Sequence, residues 1–403
     1  MTQPPEGGLP ALVVHAARDI DQVANAFDAE LLLSTLIGSI YSAVESDRDD
    51  AIEAFIEALD GYLAGAAEEQ APLVRGVLAR MTGREASAPP ARAPAWLPQV
   101  GDVRLTGSYV YGDRYGDQTS YVATFAYADA DLGGPEHAIV VLADHNLGVA
   151  KDLFVGVPAA RMLEQLRADV DGDPDEMTWF SEIEPATLRS AAMAYMTCTD
   201  NAAELPESDS LASNRAMIVT RLRLLPEAPE PAVAAVASPA DIDTRREALI
   251  EEFLASPEAD LAGLTEHTGA ARESLTYCLG LIVDFATSRG DKLRWSPAGV
   301  ETFLGTWVHE RAILDDADTA LLPDALRAWI AWAGHRLSLP APALQETLGT
   351  VRACRDEFVR LHATGERQSP AAAAMAAMIT DGIDLTDMSA VDDWLRAHND
   401  ADR

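Results

Sequence analysis

"GGPEHAIVVLADHNLGVAKD", residues Gly133–Asp152, is the stretch on which the reading of this chain turns. Its apolar run, Ala138–Ala143, ends abruptly in Asp144, His145 and Asn146, with Lys151 and Asp152 close behind. Two earlier stretches match it in kind, "VRLTGSYVY" (Val103–Tyr111) and "TSYVATFAYAD" (Thr119–Asp129). All three are rich in β-branched and aromatic residues and are parted by Gly and Asp turns, which predicts three successive antiparallel strands. "AARMLEQLRADV" and "PATLRSAAMAYMTC" then predict helices, while "RAMIVTRLRLL" fits either a strand or a helix.

Outward from this centre the period becomes that of helices. In "DDAIEAFIEALDGYL", Ile52, Phe55, Ile56 and Leu59 share one helical face, and Asp49 and Asp50 stand where the helix dipole favours acids. "APLVRGVLARMTG" has Pro72 in the first turn and Gly83 just past the expected end. On the C-terminal side, "RWSPAGVETFLGTWVHE" offers Ser296 as a cap, Pro297 at the first helical position, and Trp295 with Val300 as a hydrophobic staple. Val300, Phe303, Leu304 and Trp307 form its apolar stripe, and Leu326, Trp329 and Ile330 mark a further helix. Ser369 and Ser389 are positioned to cap two short helices near the end. The expected fold is mostly α with a central α+β domain, a small antiparallel sheet with helices between a helical N-terminal region and a helical C-terminal domain. Its expected parts are 11–84 (helical), 85–100 (Pro/Ala linker), 101–225 (α+β), 226–243 (Pro/Ala linker) and 244–395 (helical).

The 403 residues are 48% hydrophobic and 24% charged, an ordinary globular balance. The formal charge of −35 is not ordinary: 65 acids face 30 basic residues, and only Lys151 and Lys292 are lysines. The acids are spread along the chain, which fits a well-solvated surface. The sharper alternative is an acidic face for a basic partner, or one that mimics nucleic acid. Attraction to DNA, RNA or anionic lipid is disfavoured by that charge. Cys198, Cys278 and Cys354 are odd in number and far apart, so neither a disulfide framework nor a structural zinc is indicated. The opening "MTQPPEGGLP" lacks a basic segment followed by an apolar one, and "AELLLSTLIGSI" is too short and polar to span a bilayer. A cytoplasmic protein without a membrane partner is expected.

"FDAELLLSTLIGS", "EHAIVVLADHNLGVAKD" and "LRWSPAGVETFLGTWVHE" with "LPDALRAWIAWAG" resemble segments of an uncharacterised actinobacterial protein family without an established activity. The arginine-for-lysine, alanine-rich usage agrees with such a source. The resemblance touches all three regions. It implies organisation and source, and it lends no catalytic residue.

Taken as a meander with Ala128 near His137, the strands place Asp144 opposite Tyr121 and His145 near Ser120. The turn Gly112–Gln118 falls at the same end. Asp113, Asp117, Asp144, His145, Asn146, Lys151 and Asp152 are therefore the candidate ligand-binding residues. His137 is excluded, because the strand rise separating it from His145 is roughly 26 Å, too far for one metal to take both. One His with two or three carboxylates suits Mg²⁺, Mn²⁺ or a non-haem metal. His145 beside a carboxylate suits a general base, and Lys151 suits a phosphate or carboxylate. The plain alternative is that Asp, Asn and Gly collect at any sheet end because they form turns, with Asp152 a cap and Lys151 its neutralising partner.

Other motifs carry less. "LAGLTEHTGAARESLTYCLG" (Leu261–Gly280) has Gly269 at a turn between Leu264 and Leu275, as in a helix-turn-helix, but its second helix offers only Arg272, followed at once by Glu273. A plain helical hairpin fits it better. "DVDGDPDEM" (Asp169–Met177) lacks the spacing and closing Glu of a calcium loop and reads as an exposed acidic loop. Trp295, Trp307, Trp329 and Trp332 at helical spacing read as core, and His309 and His335 stand singly. No HExxH, GxSxG, P-loop or GxGxxG pattern accompanies the sheet-end cluster. The sequence favours a non-enzymatic interaction or regulatory protein with a protein partner. The alternatives are a metal-assisted hydrolase, needing a divalent metal at the sheet end, and a helix-turn-helix DNA-binding regulator.

Overall fold

The computed structural model describes residues 8–84, 92–228, 239–384 and 387–401. The chain forms two compact units, 1–233 and 234–403. It is mostly α, with one antiparallel sheet in its middle.

The first unit opens with helices α1 (Gly8–Ala16), α2 (Ala26–Tyr41), α3 (Arg48–Gly65) and α4 (Ala71–Thr82). Ile52, Phe55, Ile56 and Leu59 are buried on one face of α3, as their spacing predicts. Pro72 sits in the first turn of α4, and Gly83 ends it with φ +68°, a value that favours glycine. Then come β1 (Val103–Asp113), β2 (Gln118–Tyr127), α5 (Ala130–Gly133), β3 (His137–Asp144) and β4 (Val149–Gly156). Next are α6 (Ala159–Asp171), β5 (Thr178–Glu182), α7 (Pro185–Asp200) and α8 (Leu211–Arg223). The strand order is β4-β3-β2-β1-β5, antiparallel throughout.

Helices cover both faces of β3, which is why its apolar run has no polar alternation. Ile139 and Val141 join the large core built with α2, α7 and α8. Ala138 and Val140 face Met162, Leu163 and Leu166 of α6. The large core also takes in Val74 and Val77 of α4, and Trp96, Leu97 and Val100 just before β1.

Two sequence expectations are corrected here, and one left open is settled. β2 pairs with β3 so that Gln118, not Tyr121, stands opposite Asp144, and Phe125 stands opposite His137. The cause lies in the connection, where Asp129 caps α5 through the N–H groups of Asp131 and Leu132 and pairing stops early. "RAMIVTRLRLL", open between strand and helix, is helical as far as Arg223, the end of α8. β4 and β5 extend the expected three strands to five; "VAKDLFVG" hides its strand behind Lys151 and Asp152.

The second unit comprises α9 (Pro239–Leu254), α10 (Pro257–Leu261), α11 (Ala270–Ser288), α12 (Pro297–Thr302) and α13 (Val308–Arg311). α14 (Asp316–Arg336), α15 (Ala341–Thr364), α16 (Pro370–Thr380) and α17 (Met388–Ala401) complete it. Ser296 Oγ accepts from Gly299 N–H at 3.0 Å, and Trp295 and Val300 are both buried around that cap. Phe303 and Leu304 are buried, while the backbone over Phe303–Trp307 widens into a π-helical turn and leaves Trp307 half-buried. Leu275, Cys278, Leu279 and Ile282 bury one face of α11 in the core. Ser369 caps α16, but the cap of α17 is Asp387 rather than Ser389: its carboxylate accepts from Ser389 and Ala390 N–H. Asp387 stands one residue before the helix and reaches both first-turn donors, whereas Ser389 already lies within it. No helix among the described residues is long and apolar enough to cross a membrane.

Candidate functional site

At the sheet end, Asp113 closes β1, Asp117 precedes β2, and Asp144 closes β3. His145 N–H donates to the Asp117 carbonyl at 2.9 Å, which fixes these turns side by side. The Asp113 carboxylate accepts from the N–H groups of Asp117 (3.1 Å) and Gln118 (2.7 Å). Asp144 Oδ1 accepts from Asn146 (2.9 Å) and Leu147 (3.0 Å). Both carboxylates thus organise the loops beside them, the usual work of Asp in turns. Lys151 Nζ lies 3.9 Å from Asp144 Oδ2, a loose ion pair at the surface.

Two of the seven residues look elsewhere. Asp152 Oδ1 accepts from Leu153 N–H and from the Ser208 and Ser210 hydroxyls, so it fastens the loop that leads into α8. His145 turns toward α7: Nδ1 is 2.6 Å from the Tyr195 hydroxyl and Nε2 is 2.7 Å from Thr119 Oγ1. Among the described residues, no group of three or more His, Cys, Asp and Glu is placed to hold a metal ion.

The unforeseen chemistry is buried. Glu30 of α2, Tyr127 of β2, His137 of β3 and Arg221 of α8 meet between helices and sheet. Arg221 pairs with Glu30, donates to Tyr127 Oη at 2.9 Å, and donates from Nε to His137 Nε2 at 3.1 Å. Tyr127 Oη donates to Glu30 at 2.6 Å, and Gly101 N–H donates to its other oxygen at 2.6 Å. Arginine only donates, so His137 Nε2 is the acceptor and Nδ1 carries the proton, facing the Pro135 carbonyl at 3.2 Å. Burial, reinforced by the Arg221 charge, holds His137 down at about 3. A second set ties α2, α3, α7 and α8: Arg215 bridges Asp200 and Asp49, Tyr41 donates to Asp200, and Arg48 donates to the carbonyls of Asp200 and Ala202. Burial raises Tyr41, as does the Asp200 charge.

The two edges of the sheet are treated differently. Along β4, Thr199 Oγ1 accepts from Ala150 N–H at 2.8 Å, its proton shared between the Ala150 and Tyr195 carbonyls at 3.0 Å each, and Asn214 donates to the Leu153 carbonyl at 2.9 Å. Side chains of α7 and α8 thus close that edge. On the other side, β5 pairs only with Tyr109–Asp113 of β1. The last links are at Ser108, whose carbonyl accepts from Ile183 N–H and whose hydroxyl donates to the Ile183 carbonyl. Beyond them the chain turns through Pro185 into α7, and on the side away from β2 no strand pairs with Val103–Gly107 among the described residues. A cavity of about 520 Å³ opens along this free edge, bounded by Leu105–Tyr109 and Glu182–Pro185.

No family model matches the chain, and neither a curated protein nor a solved structure does. Its chemistry rests on its own residues.

The groove left little trace in the sequence. Its one local sign is Gly107, where a Cβ would stand 2.5 Å from the Tyr109 hydroxyl; the ring lies across the glycine. The ladder breaks between Leu105 and Gly107, leaving Thr106 as a bulge residue. A glycine inside a strand pattern signals such a bulge or a close approach. The length of β5, which decides how much of β1 stays free, was not legible.

Proposed function

We propose that this chain is a non-enzymatic interaction protein of the cytoplasm that binds a polypeptide partner along the free edge of β1. The observation that carries the reading is the contrast between the two sheet edges. An unpaired edge is a template for another chain, and proteins ordinarily cover or blunt it. Here side chains of α7 and α8 bond the backbone of one edge at Ala150 and Leu153, while the other, bulged at Thr106, borders the cavity. An added strand is a common mode of peptide recognition: main-chain hydrogen bonds give affinity and flanking pockets give selectivity. Three free cysteines and an acidic surface suit a reducing compartment and weigh against nucleic acid. In this reading the sheet-end cluster builds loops. No observation favours the hydrolase or the DNA-binding reading over it.

The test is selection of short displayed peptides on the full chain, followed by hydrogen-exchange footprinting of the winners. Protection over Val103–Tyr109 and Glu182–Pro185 supports the reading. Winners that leave those segments unchanged contradict it.

A further inference from the structure

Resting on that reading, we propose that the occupant of the groove is an extended segment bearing arginine or lysine side chains at alternate positions. The groove carries Glu182 at the end of β5 and Glu184 at the cap of α7, both exposed; none of the residues that bound it is basic, while Arg104 lies exposed on the adjoining free stretch of β1 and Arg167 stands over the Tyr109 ring. These two glutamates stand two residues apart on the segment that leaves β5 through Ile183. The partly buried Leu105, Tyr109 and Ile183 supply apolar surface between the acids. A strand entering here lies in the lane that β5 vacates at Ile183. Its backbone meets the free edge of β1, and its basic side chains meet the glutamates.

Charge also selects against the other obvious occupant. Two copies of this chain meeting edge to edge would bring together two acidic rims on molecules of formal charge −35 each. A basic segment gains from that same charge in its approach and in its final contacts.

The probes are three labelled peptides, alternating Arg-Val, Ser-Val and Glu-Val, titrated by fluorescence anisotropy against the full chain. They are also titrated against E182K/E184K and against D171K/D175K, which makes the same charge change in the exposed stretch before β5. The Arg-Val peptide is expected to bind the unaltered chain and the D171K/D175K variant alike. Its affinity should fall at least tenfold on E182K/E184K, where the Glu-Val peptide gains. Equal footprints and equal affinities for Arg-Val and Ser-Val peptides in the groove would overturn this inference and leave the binding reading standing. Equal weakening by both double variants would overturn it too, as attraction to the overall charge. Peptides that fail to protect Val103–Tyr109 would count against both. A dimer in sedimentation whose contacts protect that edge would overturn it in favour of a second copy.

Discussion

A buried arginine needs acceptors, and Arg221 has three: Glu30, Tyr127 and His137. Removing Glu30 leaves the Arg221 charge unpaired and out of water, which typically costs about 3–5 kcal/mol. Glu30→Gln should therefore destabilise the first unit by an amount of that order, while Glu30→Leu with Arg221→Met should be milder than either single change. Denaturant unfolding of the full chain checks this; additive effects would contradict the network. His137 adds a dependence on pH. Unfolded, it takes up a proton near the ordinary 6.5; folded, it resists until about 3. The unfolded state binds more protons within that window, so stability is lost as pH falls through it. The loss amounts to about 3 kcal/mol by about pH 4. His137→Gln keeps an acceptor for Arg221 and should flatten the acid limb; parallel limbs would contradict the assignment. None of this could be read from the sequence, where Glu30 and Arg221 stand far apart within ordinary helical patterns. The strand count that set His137 apart from His145 held only their separation, and missed the arginine waiting above.

Elements were more legible than residues, because their signals are local. Pro72 with Gly83, and Trp295 with Ser296 and Val300, mark helix ends through hydrogen bonds and contacts a few residues apart. Trp295→Ala should lower the stability of the second unit by about 3–5 kcal/mol, the usual loss for a large buried aromatic. Trp295→Phe should cost less, since the indole N–H is buried without a hydrogen-bond partner. Calorimetry of the full chain tests the order of the two variants; an unshifted Trp295→Ala would contradict the staple. At the sheet end, Asp113 and Asp144 each accept two backbone N–H groups, so Asp113→Ala and Asp144→Ala should each destabilise by about 1.5–3 kcal/mol. Their convergence was legible from turn chemistry. The register was not, since the short helix α5 replaced a tight turn and moved Asp144 from Tyr121 to Gln118. β5 escaped because five residues, "TWFSE", give too little alternation to reveal a strand.

At the scale of the molecule, a strongly acidic surface surrounds a first unit whose sheet is closed on one edge and free on the other. Composition announced the charge and periodicity the class of fold, but edges are properties of strand order, which no local pattern encodes. The binding reading rests on the free edge of β1, and amide hydrogen exchange addresses it most directly. In the unliganded full chain, the amides of Val103–Gly107 that face away from β2 should exchange much faster than that of Ala150 on the covered edge. Addition of the alternating Arg-Val peptide should slow the first set and leave the second unchanged. Equal protection of the two edges before addition, or no change in Val103–Gly107 at saturating peptide, would contradict the account.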